Sequence, residues 1–142
     1  MPRLILAFGL SLVAALPGTA QPLETFAGFL GQVARAWASA DADALAALAD
    51  GEVLLGLGAV PQAVGPRHAA AALRVLLDDM ETLAVRVEEA NVTGAGRAFG
   101  TLAWTARPRG LPIARTQRVY VGAVWRGDRW RLRELRLWPG AP

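Results

Sequence analysis

A chain of 142 residues with 15 basic and 12 acidic residues, a net charge of +3 and no cysteine has room for one compact domain held by core packing alone. The lack of cysteine excludes a disulfide framework, a thiolate metal site and a cysteine nucleophile, and the single histidine, His68, excludes a multi-histidine metal centre. The charge is also uneven: residues 22–96 hold four Arg against ten Asp plus Glu, whereas residues 97–142 hold ten Arg against Asp128 and Glu134. That split predicts an acidic helical part, a basic sheet and an electric field across the folded domain. Every basic residue is Arg, which a GC-rich bacterial genome explains as well as anion recognition does.

The chain begins with Arg3, an apolar run from Leu4 to Leu16 and the small residues Gly18-Thr19-Ala20, the pattern of a signal peptide cleaved before Gln21. This run of thirteen residues, interrupted only by Gly9 and Ser11, is too short to span a bilayer core of about 30 Å, so export is expected rather than a stable membrane anchor. Without a cysteine after the apolar run there is no lipoprotein acylation site. The expectation is residues 1–20 as signal peptide, residues 21–142 as one domain, and a secreted or periplasmic location.

Phe26, Leu30, Val33 and Trp37 form one stripe of an amphipathic helix from about Leu23 to Ala38. Ser39 or Asp41 can cap a shorter helix carrying Leu45 and Leu48, which Asp50-Gly51 ends. Residues 52–57 read as a short strand and residues 58–65 as a loop. Pro66 then opens a helix to about Met80, with Ala69, Ala72, Leu73, Leu76 and Met80 as its buried stripe.

From Thr82 the period is two. Leu83, Val85 and Val87 alternate with Arg86 and Glu88, Thr93-Gly-Ala-Gly96 supplies a turn, and the chain returns through Phe99, Leu102 and Trp104. After the loop Pro108–Pro112, two strands flank Gly127-Asp128, where Gly127 can take the positive φ of a type II′ turn. With that tip, Val119, Val121, Ala123 and Trp125 share the core side with Trp130 and Leu132. Unbroken alternation would then bury Glu134 and Arg136 and expel Leu135 and Leu137, so a β-bulge is expected between Leu132 and Leu135. The outer side would carry Arg118, Tyr120, Gly122, Arg129, Arg131 and Arg136.

The order α-α-β-α-β-β-β-β, closed by Trp130-Arg-Leu-Arg-Glu-Leu-Arg-Leu-Trp138, resembles the nuclear transport factor 2 and ketosteroid isomerase superfamily over Leu23 to Trp138. It is most similar to small exported bacterial members without an assigned activity. The resemblance implies an α+β, cystatin-like cone: three N-terminal helices packed on a strongly curved, bulged antiparallel sheet, with an apolar pocket between them. Catalytic members place acid, tyrosine or histidine groups inside the cone. Here the only tyrosine, Tyr120, is expected outside it, the last four strands have no Asp except the turn residue Asp128, and no His–Asp pair is visible. No catalytic residue and no cofactor or metal is therefore assigned.

Bland readings compete with each remaining candidate. A lone His68 at a helix start reads as a surface or capping residue ahead of a general base. Arg126-Gly127-Asp128 is explained by the turn, and Asn91-Val92-Thr93 is a chance-level glycosylation acceptor. Trp37 and Trp104 could line a ligand cavity, with Glu134 as its acid, although core packing and a salt bridge to Arg118 or Arg133 account for them too. Arg118, Arg129, Arg131 and Arg136 form a candidate surface for an acidic protein or polyanion, nucleic acid being a poor match for an exported chain. Such a face should repel a copy of itself, leaving a monomer, or a homodimer through Trp138. The expectation is a non-catalytic domain that binds a small apolar ligand or a protein partner. The alternative is a small isomerase or hydro-lyase acting in the cone.

Overall fold

The structure, a computed structural model, describes residues 21–58 and 60–138, of which 21–24 are described by backbone alone; the expected signal peptide lies outside them. Two main helices and one short one precede most of the sheet. Helix α1, Gln21–Ala38, buries Phe26, Phe29, Leu30, Val33 and Trp37, the predicted stripe widened by Phe29. It ends where Ala40 takes φ 55 and Asp41 N–H donates to the Ala36 carbonyl, a left-handed closure that satisfies the last carbonyls. Asp41 then caps α2, Ala42–Ala47, by accepting from Ala44 N–H at 3.0 Å.

Strand β1, Val53–Gly56, and a three-residue strand β2, Gln62–Val64, pair antiparallel. β2 falls within the stretch 58–65 that the sequence reads as a loop, because three residues are too short for any periodicity to register. Helix α3, Pro66–Asp79, has Pro66 in its first turn and buries Ala69, Ala70, Leu73 and Leu77. Ala72 is exposed and Leu76 and Met80 are half-buried, so its inward face lies partly around the helix from the expected stripe. The expectation of three N-terminal helices packed on the sheet is corrected: α1 and α3 are the two main helices, and α2 has only six residues.

The remaining strands are β3 (Met80–Gly94), β4 (Arg97–Pro108), β5 (Arg115–Trp125) and β6 (Trp130–Trp138). They form one open, mixed sheet in the order β2-β1-β6-β5-β4-β3, antiparallel except for the parallel pair β1–β6. The expectation of a purely antiparallel sheet is corrected by that pair. The β3–β4 turn uses Ala95 at φ 53 and Gly96 at φ 68, the two positive values of a type I′ hairpin. In the β5–β6 turn, Gly127 has φ 77 and Trp125 lies opposite Trp130, as expected.

The bulge in β6 falls where the apolar spacing changes phase. Ala123 pairs with Leu132 and Gly122 with Glu134, so Arg133 is the extra residue, and both Leu132 and Leu135 are buried. β3 has register shifts at Leu83, Glu88 and Thr93. Bulges on two strands bend the sheet around the helices and decide which side chains leave the core.

Candidate functional site

The helix-covered side of the sheet is filled. Trp37 and Trp104 are fully buried, with ring centroids 5.2 Å apart in an edge-to-face contact. Trp104 Nε1 donates to Thr82 Oγ1 at 2.9 Å, whereas Trp37 Nε1 is buried without a partner among the described residues. Leu30, Val33, Leu73, Leu102, Val119 and Val121 complete this interior. The two tryptophans expected to line a ligand cavity are thus brought together in the core.

At one end of that interior the sheet opens into a pouch of about 480 Å³. Its walls are Met80 from the start of β3, Ala106 and Pro108 from the end of β4, Gln117 from β5, and Leu111, Pro112 and Ile113 from the β4–β5 connection. Gln117 pairs across the strands with Trp104, which places the buried tryptophan pair behind the pouch. Leu111 and Ile113 remain 56% and 67% exposed. Gln117 and Arg115 are the pouch's polar side chains. Sequence reasoning missed this site because 108–112 reads as a loop; two large apolar residues, Leu111 and Ile113, beside three turn-forming residues were the available signal.

The opposite side of the sheet carries Glu134, so it does not share a cavity with Trp37 and Trp104, a correction with a simple cause: the bulge at Arg133 turns it outward. Glu134 forms an ion pair with Arg136, not with the expected Arg118 or Arg133. The Arg136 guanidinium carbon lies 5.0 Å from the centre of the Tyr120 ring, and that ring stacks on Phe99 at 5.8 Å. Burial, with the Glu134 charge adding to it and Arg136 opposing, pushes the Tyr120 hydroxyl above its ordinary pKa. A shallow groove of about 570 Å³ on this face is lined by Phe99, Tyr120, Trp138, Arg118 and two acids from β3, Glu88 and Glu89.

Those acids change the electrostatics expected of the face. Glu88, at a β3 bulge, accepts from Arg118 Nε at 3.2 Å across the intervening β4, and Glu81 accepts from Arg107. The Arg107 hydrogen bond and charge hold the Glu81 carboxyl below the usual carboxylate range. The outer face therefore interleaves both signs, and the acidic part of the sequence does not end with the helices. Trp138, 54% exposed, lies opposite Arg118 on this same face, so the expected arginine surface and the expected tryptophan interface coincide. Arg129 and Arg131 are parted from Arg118 and Arg136: they line a groove beside α1.

The other candidates take their bland positions. His68 is exposed in the first turn of α3. Arg126 pairs with Asp50 at 3.4 Å while Gly127 makes the turn. Among the described residues no group of three His, Cys, Asp or Glu could hold a metal ion, and no helix is long and apolar enough to cross a membrane.

No protein-family model and no curated protein matches the chain. Solved structures do. A ketosteroid isomerase-like protein from Erwinia carotovora atroseptica superposes with a TM-score of 0.72 at 15% identity, over 87% of this chain and 99% of that one. The fold is that of the nuclear transport factor 2-like proteins. A putative dehydratase of that family from Streptomyces avermitilis matches at TM-score 0.65 and 15% identity over 86% of this chain and 98% of that one. A DUF4783 family protein from Bacteroides ovatus matches at TM-score 0.66 and 12% identity over 78% and 94%. Identities this low establish a shared fold and carry no activity across.

Proposed function

We propose that the protein is an exported, non-catalytic binding protein that holds a small apolar ligand in the pouch between β3, β4 and the β4–β5 connection. The observation that carries this reading is the pair Leu111 and Ile113, held more than half exposed over an apolar cavity of about 480 Å³. A pocket of that size, mostly apolar with a few polar groups at its rim, is the usual form of a small-molecule site. Covering either side chain would gain about 1.5–3 kcal/mol at most, enough to reward a ligand that closes over them. The pouch's polar side chains, Gln117 and Arg115, are not general acids or bases near neutral pH, which supports binding over an isomerase or hydro-lyase reaction. Export rests on the Arg3, Leu4–Leu16 and Gly18-Thr19-Ala20 pattern.

The test is titration with a neutral fluorescent hydrophobe such as N-phenyl-1-naphthylamine. Saturable binding is expected, weakened about tenfold or more by Ile113→Asp or Leu111→Asp, since each change puts a charge into an apolar contact. Binding that both variants leave untouched would place the ligand elsewhere and remove the basis for this reading.

A further inference from the structure

We propose a second site, for a small organic anion with a flat apolar body, in the groove between α1, the end of α2 and the β5–β6 turn. The groove lies at the opposite end of β5 from the pouch and has a volume of about 720 Å³, within the range of about 300–1,000 Å³ typical of small-molecule sites.

One wall is aromatic. Phe29, Trp130 and Trp125 line it, and they belong to a continuous series of ring contacts: Phe29 to Phe26 at 6.1 Å, Phe26 to Trp130 at 5.3 Å, Trp130 to Trp125 at 5.2 Å. Trp130 is fixed by donating from Nε1 to Thr25 Oγ1 at 3.1 Å, while Trp125 at the outer end is 39% exposed and offers its ring to a ligand.

The groove's charges are Arg35, Arg129 and Arg131 against one carboxylate, Asp128. Among the described residues Arg35 and Arg131 have no carboxylate within 4.0 Å, and Arg129 reaches only its neighbour Asp128, at 3.6 Å with both side chains well exposed. On the outer face of the sheet the arrangement is the reverse: Arg107, Arg118 and Arg136 each have a glutamate partner. A paired guanidinium has little to offer an incoming anion, whereas an unpaired one presents a planar fork that matches carboxylate, sulfonate or phosphate oxygens. Three arginines beside the exposed Trp125 ring, which the buried Phe29 and Trp130 back, select a ligand with both parts, because an exposed ion pair alone contributes little.

Isothermal titration of the protein recovered from expression of the full chain, with 2-naphthyl phosphate as probe, tests this. Inorganic phosphate and 2-naphthalenemethanol supply the charge and the ring separately. Saturable binding of naphthyl phosphate about tenfold tighter than either part is expected, weaker at high salt. Arg131→Gln and Arg35→Gln should each reduce it about tenfold without altering thermal unfolding, the loss of one charge-assisted contact, and Ile113→Asp should leave it unchanged. No saturable binding, binding indifferent to both arginine changes, or binding abolished by Ile113→Asp would overturn the proposal. The last outcome would assign the probe to the pouch, so the two sites fail separately.

Discussion

Gly100 stands where α1 comes nearest the sheet, and Gly100→Ala measures how tightly the two are packed. A methyl group there falls inside van der Waals contact with Leu30 Cδ1 and 2.7 Å from the Glu89 carbonyl oxygen. Leu30 is fully buried, and Glu89 adjoins the β3 bulge at Glu88, so neither neighbour has free space to enter. Replacing a mid-strand glycine by alanine ordinarily stabilises by about 0.5–1 kcal/mol through backbone entropy. Overpacking by one carbon costs about 1–3 kcal/mol, and with two rigid neighbours the upper part of that range applies. The net expectation is a loss of about 2 kcal/mol, or roughly 8 °C in Tm for a domain of this size. Urea and thermal unfolding read it directly. Gly28→Ala is the control, since nothing lies within 4 Å of its added methyl and the helix gains propensity. In a double-mutant cycle Leu30→Val should relieve part of the clash, leaving the Glu89 contact. A Gly100→Ala protein as stable as the parent, or a cycle with zero coupling, would show that α1 does not sit this close to β4.

Leu132, 1% exposed beside the bulge, should lose about 2–5 kcal/mol on truncation to Ala in the same unfolding assays. Ala40→Gly should raise stability by about 1 kcal/mol, since φ 55 is strained for alanine and free for glycine; no change in Tm would contradict the left-handed closure of α1. Because the folded-state pKa of Tyr120 is raised, its contribution to stability is intact below the unfolded value near 10 and is lost as pH climbs through the folded value. Ultraviolet titration should show late ionisation that Glu134→Gln brings earlier, with burial keeping part of the delay. Intact-mass measurement of exported protein should find an N-terminus at or near Gln21, and retention of Met1 would exclude cleavage there.

What could be read from residues alone was whatever depends on local periodicity. The α1 stripe, a cap at Ser39 or Asp41, Pro66 in the first turn of α3 and both glycine-bearing hairpins follow from neighbours in sequence, and even the β6 bulge is visible as a phase change between Leu132 and Leu135. The misses were non-local. β2 exists because β1 offers three residues of pairing, and β1 itself enters the sheet by running parallel to β6, some 80 residues away. Glu88 reaches Arg118 only after a β3 bulge and the β4 strand have set the distance. The site suffered most: Trp37 and Trp104 read equally as pocket or core, and only the packing of α1 against β4 decides for core. The pouch joins residues from the ends of β3, β4 and β5 with Leu111 and Ile113 from a stretch without periodicity.

The charge split in the sequence is largely dissolved by folding, and where it survives is informative. Arg118 with Glu88, Arg107 with Glu81 and Arg126 with Asp50 each join a basic residue of the C-terminal part to an acid of the N-terminal part. Because β3 carries its glutamates onto the outer face of the sheet, a field running from acidic helices to a basic sheet is cancelled locally. Among the described residues, arginines without a carboxylate partner include Arg115 at the pouch rim and Arg35 and Arg131 in the groove beside α1. They lie at the two ends of β5, each beside apolar or aromatic surface. Unpaired charge next to exposed apolar area stabilises neither the helices nor the sheet, since an exposed arginine contributes little to folding and an exposed ring is better buried. In the groove beside α1 both are supplied with a partner if a ligand brings an anionic group and an apolar body together. Folding accounts for the arginines paired with acids, and the ligand proposed for the groove would supply a partner for Arg35 and Arg131.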